Sequence, residues 1–265
     1  EEVMDKGPFF KALSSSSSSL LQIPSYDAKD ISVDLFISDF LTAGRPLLVR
    51  NAISDPNFLS MLTLQELSKS SSAEEQHDIS TVPYATTFSL PSTSLTLHEY
   101  LSSWAIPSYS SVPPPTPSPL SPPNYLFTSM PETSPLTQNL IPPSFLEPSV
   151  ANITARKTQF YVGPSGSGAP VHFHSAAFNM LAYGKKQWVL FPPSSAFYSK
   201  TPALSWFSEF DPSQYEKGEI YTTTQEPGDV LWIPQQWAHG TLNLESCVGV
   251  AQEVHWGGLQ FSFGV

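Results

Sequence analysis

At 265 residues, with 40% hydrophobic residues, the chain is long enough for one elaborated domain, or for a core domain with a small appendage. A formal net charge of -11, with no compensating Lys/Arg run, excludes a phosphate backbone or an anionic membrane surface as the natural partner. The single cysteine, Cys247, leaves no internal disulfide and reads as a buried strand thiol, and no apolar stretch reaches the ~18 residues of a membrane span.

In chain order, the sequence opens at Glu1, consistent with either a removed leader or a trimmed sequence. Ser14 to Ser19 form a low-complexity serine run. Val33, Phe36, Ile37, Phe40 and Leu41 then recur at helical spacing, with Ser32 placed to cap the first turn and Gly44 and Pro46 to end the element. Leu47 to Val49 reads as a short strand. Thr63 with Glu66, and Thr96 with Glu99, have capping-box spacing and predict two short helices. Residues 105–124 carry eight prolines and read as an extended insertion. Asn152-Ile153-Thr154 is an N-glycosylation sequon.

From about Thr158 the texture changes to short strands set apart by Gly and Pro. Thr158–Gly163, Ala177–Tyr183, Lys186–Phe191, Glu219–Thr224, Asp229–Ile233, His239–Leu244 and Cys247–Val254 read as strands. Gly184-Lys185 reads as a tight hairpin and Pro227-Gly228-Asp229 as a turn. The rhythm is that of a β-barrel or sandwich. There is no βαβ alternation, GxGxxG or P-loop. Residues 194–219 interrupt the strands as a lid or a long loop.

Three of the six histidines stand out. His172 and His174 are two apart on a predicted strand, so both rings fall on one face, and His239 opens a late strand. Three imidazoles at one point suit Zn²⁺, Cu²⁺ or Fe²⁺. A His-x-His pair alone reads as a surface pair. The glycine-rich approach to His172 and the Pro-Gly-Asp turn and Trp237 before His239 favour the metal reading. His77, His98 and His255 receive no role, and Trp188, Trp232 and Trp237 read as packing residues.

Val171-His172-Phe173-His174, the run Phe178 to Pro193, the run Pro227 to Pro234, and Trp237-Ala238-His239 with Leu242-Asn243-Leu244 occur in the order of a JmjC domain. Residues 158–254 resemble that family closely; Phe36 to Ile53 and Tyr125 to Phe145 do so more loosely. The resemblance implies a double-stranded β-helix (residues 158–265) with an N-terminal helical and irregular region (residues 1–157) packed on it. It also implies Fe(II) and 2-oxoglutarate. His172 and His239 fall on the family's histidine ligands, Lys186 on the base that pairs with the far carboxylate of 2-oxoglutarate, and Asn179 on a polar cosubstrate contact.

Three positions depart from the pattern. His174 stands where the family carries a carboxylate ligand, and Ala169 and Ala251 stand where it carries hydroxyl contacts. Losing two charge-assisted bonds of about 1.5–3 kcal/mol each would weaken an anionic cosubstrate by ~10²-fold or more. The expected function is therefore an Fe(II)/2-oxoglutarate oxygenase acting on a protein or small molecule. The alternatives are a metal-binding, non-catalytic JmjC protein working through partners, and a three-histidine enzyme that does not use 2-oxoglutarate. The His-x-His pair and the Tyr183-to-Trp188 hairpin most resemble a branch of the family found in the endoplasmic reticulum lumen, which implies the secretory pathway.

Overall fold

The computed structural model describes residues 7–15, 19–53, 55–105, 116–130 and 153–256. Ser16 to Ser18 of the serine run, residues 106–115 of the Pro-rich insertion and Asn152 lie outside the described residues.

Fourteen strands are seen among the described residues: β1 (Leu20–Gln22), β2 (Ser25–Asp27), β3 (Leu47–Arg50), β4 (Gln76–Ser80), β5 (Thr93–Thr96), β6 (Tyr125–Met130), β7 (Ile153–Gly163), β8 (Gly168–His172), β9 (Ala177–Tyr183), β10 (Lys186–Phe191), β11 (Ile220–Gln225), β12 (Val230–Ile233), β13 (Ala238–Asn243) and β14 (Cys247–Trp256). They form two sheets, one in the order β1-β11-β10-β13-β8 and the other in the order β2-β3-β12-β9-β14-β7-β6-β4-β5. From β7 onward every pairing is antiparallel; β1 and β2 join in parallel. This is the double-stranded β-helix expected from the sequence.

Local chemistry explains the main turns. Gly184 takes φ +85° in the β9–β10 hairpin and Gly228 takes φ +89° before β12, a region that glycine enters without steric cost. Helix α2 (Val33–Phe36) is capped by the Ser32 hydroxyl, which accepts from the Leu35 N–H. It runs on through a wider π turn over Ile37–Leu41. Thr96 and Glu99 form the reciprocal capping box at α5 (Leu97–Ser102); such a cap contributes about 1 kcal/mol.

Three apolar layers follow from strand alternation. Between the sheets, Trp188, Leu190, Leu231, Ile233 and Trp237 pack with Ile23 and Leu48. Phe178, Met180, Trp232, Val248 and Val250 turn to the opposite face of the larger sheet, against the N-terminal helices through Phe36, Phe40 and Leu101. Val171, Val189 and Phe191 turn outward from the smaller sheet. They pack under α1 (Pro8–Leu13) and α6 (Ala203–Glu209) through Phe9, Leu204 and Phe207.

Three expectations are corrected. The region before residue 157 supplies six strands where only Leu47 to Val49 was expected, and the 157/158 boundary falls inside β7. Residues 194–219 form no lid, because α6 packs beneath the outer face of the smaller sheet. His174 is not on the strand that carries His172: β8 ends at His172, and His174 lies in the turn that follows.

Candidate metal centre

His172 closes β8, His239 lies on β13 directly opposite it in register, and His174 folds in from the turn beyond β8. Their ring centroids are 4.4 Å (His172–His239), 4.8 Å (His174–His239) and 5.4 Å (His172–His174) apart. One nitrogen from each lies within 4.8 Å of the other two.

The hydrogen bonds fix the tautomers. Nδ1 of His172 lies 2.8 Å from the Pro170 carbonyl, Nδ1 of His174 lies 2.6 Å from the Ser175 carbonyl, and Nδ1 of His239 lies 2.9 Å from the Trp237 carbonyl. A carbonyl only accepts, so each Nδ1 must carry a proton, which leaves Nε2 as the nitrogen that faces an ion. This is how metal-ligating histidines are oriented elsewhere. His174 is held further by the Gln236 N–H, which donates to its carbonyl at 3.0 Å.

Electrostatics point the same way. Desolvation, then the neighbouring His174, lowers the pKa of His172 to about 4. Desolvation, then His172 and His174, pushes His239 well below its usual value. Both rings are therefore neutral at physiological pH, the state a cation requires. The donor set fits a divalent ion. At ~2.1 Å per bond, the nitrogens would have to draw in to about 3.0–3.4 Å of one another.

Beyond the imidazoles lies a pocket of about 30 Å³, lined among others by Ala169, Asn179, Lys186, Trp188, Thr241 and Ala251. Lys186 opens β10 and is 1% exposed. Its ammonium donates to Asn243 Oδ1 at 2.8 Å and to the Tyr125 hydroxyl at 3.1 Å, and sits 4.3 Å from the Tyr161 ring centroid. No carboxylate pairs with it among the described residues. Desolvation lowers its pKa to about 8, opposed by the nearby Cys247. Burial in turn raises the Cys247 thiol to about 11, which fits its reading as an inert buried thiol.

Asn179 projects from β9, and its carboxamide oxygen accepts from the Tyr161 hydroxyl at 2.7 Å. Its backbone carbonyl accepts from Gln225, whose own carboxamide oxygen accepts from Trp188 Nε1, so the floor of the pocket is one connected network. The tryptophans are packing residues: Trp188 and Trp232 are each 2% exposed, and Trp237 donates to the Gly44 carbonyl.

Sequence reading did not find Tyr125, Tyr161, Asn243 and Tyr84. Tyr161 shares the inward parity of β7 with Gln159, a usable signal. Tyr125, Asn243 and Tyr84 become visible only through long-range pairing.

Residues 159–254 match the family model described as "JmjC domain, hydroxylase". Over these residues, which carry the metal pocket, the chain is similar to a JmjC domain. The chain is 33% identical over 122 residues to JmjC domain-containing protein 8 of Rattus norvegicus, covering 45% of this chain and 44% of that protein. It is 28% identical over 103 residues to the 2-oxoglutarate and iron-dependent oxygenase JMJD4 of Homo sapiens, covering 34% and 25%. It is 24% identical over 270 residues to the bifunctional arginine demethylase and lysyl-hydroxylase psr-1 of Caenorhabditis briggsae, covering 86% and 60%. The matched stretch spans less than half the length of the JmjC domain-containing protein 8 relatives.

For 2-oxoglutarate, the JmjC domain gives a divided answer. Lys186, Tyr125 and Asn243 suit a carboxylate, since a buried ammonium without an anionic partner is a costly arrangement that an anion relieves. The space does not fit: about 30 Å³ holds one or two waters, against the ~150 Å³ that takes up benzene. Ala169 and Ala251 both line this pocket and offer no hydroxyl.

Proposed function

We propose that this protein is a metal-dependent oxygenase of the JmjC hydroxylase type, acting on side chains of protein substrates. His172, His174 and His239 would hold Fe(II), and Lys186 with Asn179 would receive the anionic cosubstrate. The observation that carries this reading is the ammonium of Lys186, without a carboxylate partner among the described residues, in the pocket that also exposes three imidazoles. Iron with 2-oxoglutarate would supply the oxidising chemistry.

The chain's own residues have separate tasks. Three backbone carbonyls keep the Nε2 lone pairs directed at the ion. Lys186 would meet the carboxylate of a cosubstrate once the pocket had widened to admit it, with Asn243 and Tyr125 orienting the ammonium. Trp188 and Ile233 keep the pocket dry. Protein side chains as substrates agree with the names of relatives such as psr-1. A place in the endoplasmic reticulum lumen is part of this proposal, and the sequon Asn152-Ile153-Thr154 is its signal in the sequence.

A second reading has specific support. Histidine at position 174, alanines at 169 and 251, and a pocket of about 30 Å³ all favour a metal-binding JmjC protein that works through partners without turnover. One experiment separates the two. Fe(II)-loaded protein, kept free of O₂, is titrated with 2-oxoglutarate and followed in the visible range. A saturable charge-transfer band supports the oxygenase; its absence in protein that demonstrably holds Fe(II) leaves the non-catalytic reading.

A further inference from the structure

The larger sheet is wider than the barrel. β9, β12 and β14 face the smaller sheet across the metal pocket, through Asn179, Ile233 and Ala251. Beyond them β7, β6, β4 and β5 continue sideways. A cleft of about 390 Å³ lies on this extension, lined among others by Gln76, Asp78, Ser94, Ser129, Lys157 and Gln159. It adjoins the metal pocket, because Tyr125, Phe127 and Gln159 line both.

Tyr84 stands at the junction. Its ring centroid is 5.9 Å from that of His172 and 5.3 Å from that of Phe127, and its hydroxyl accepts from Gln159 Nε2 at 3.3 Å. Its φ is +64°, which a bulky side chain seldom adopts and which structures retain where a side chain must be aimed.

The strands supply an independent observation. β4 and β6 pair only at Ile79–Leu126 and Ser80–Tyr125. From there they separate: β4 stays with β5 back to Gln76, and β6 stays with β7 out to Met130. Among the described residues, no strand pairs the far edge of Phe127–Met130. An open edge offers backbone N–H and C=O groups to another extended chain. The amide and hydroxyl side chains beside it match peptide groups, which both donate and accept without charge.

We propose that this cleft binds an extended polypeptide segment beside β6, and that Tyr84 positions one of its side chains toward the three imidazoles. Only that last step rests on the metal reading above. The cleft itself stands on the sheet geometry.

The test uses a random octapeptide library displayed on phage and selected on the whole chain, with the recovered peptides resynthesised with a fluorescein label and measured by polarisation. They should bind zinc-treated and chelator-stripped protein within about twofold. They should lose about tenfold or more on Ser129→Trp and on Ser94→Trp, which fill the cleft from opposite walls. Both serines are exposed, so both variants should fold, which unchanged circular dichroism and melting would verify. Bound peptide should slow the removal of zinc from wild type by dipicolinate, and Tyr84→Ala should keep the peptides but lose that protection. Recovery of no peptide, or peptides indifferent to both tryptophans, would overturn the cleft; protection that is absent from wild type, or kept by Tyr84→Ala, would overturn the role of Tyr84. Peptides that obey this pattern on protein that binds no metal would leave the cleft standing and remove the metal centre.

Discussion

Lys186→Met isolates the ammonium beside the metal centre. Desolvation holds its pKa near 8 in the folded protein, against 10.5 for an ordinary lysine. Between those values the unfolded chain keeps a proton that the folded chain has released, so stability must rise with pH across that window. A displacement from 10.5 to about 8 corresponds to about 3 kcal/mol. Below pH 8 the full cost of the buried charge is present; by pH 10.5 most of it is gone. Tyr125 and Tyr161, whose pKa values burial raises, act in the opposite sense above pH 10, but in wild type and variant alike; Cys247, which burial raises to about 11 and which senses Lys186, is replaced by Ala in both proteins. The difference between the two proteins therefore reports Lys186. Urea unfolding of metal-free wild type and Lys186→Met at pH 7.5, 9 and 10.5 should show wild type gaining about 2–3 kcal/mol relative to the variant. A bound carboxylate would restore the lysine's ordinary pKa and flatten that gain. A stability difference that does not change with pH, without added anion, would refute the argument for an unpaired buried ammonium.

Other outcomes follow from the same geometry. His174→Asp places a negative charge in the donor set and should tighten Fe(II) by about tenfold or more, read by competition with a chromogenic chelator. Gly184→Ala forces φ +85° on a side chain whose Cβ would strike the Ser246 carbonyl, so it should cost about 2 kcal/mol or more in urea unfolding. Expression through the secretory pathway should give a glycosidase-sensitive mobility shift that Thr154→Ala removes, since Thr154 completes the sequon at Asn152 and is exposed.

Much of the barrel was legible because its signals are local. The β9–β10 hairpin is announced by Gly184, and β12 by the Pro227-Gly228 turn. His172 and His239 could be read because the runs around them carry the family's motifs. The edge strands were not legible. Gln76–Ser80 and Thr93–Thr96 are mostly polar and lack apolar alternation; pairing to β6 and to each other makes them strands. His174 was expected on a strand, yet a turn brings its ring to the other two. The setting of Lys186 was legible only in part. Its inward direction followed from the hairpin, but its partners Tyr125 and Asn243 lie 61 and 57 residues away in the chain. Those partners are a neutral hydroxyl and a carboxamide, with two aromatic faces beside them.

The three-histidine centre is tested most directly by X-ray absorption on protein loaded with one equivalent of Zn²⁺, in wild type and in His174→Ala. The account predicts one tightly bound zinc with three imidazole nitrogens at about 2.0–2.1 Å, and two in the variant, with weaker binding. An identical imidazole count and affinity in the two proteins would contradict it.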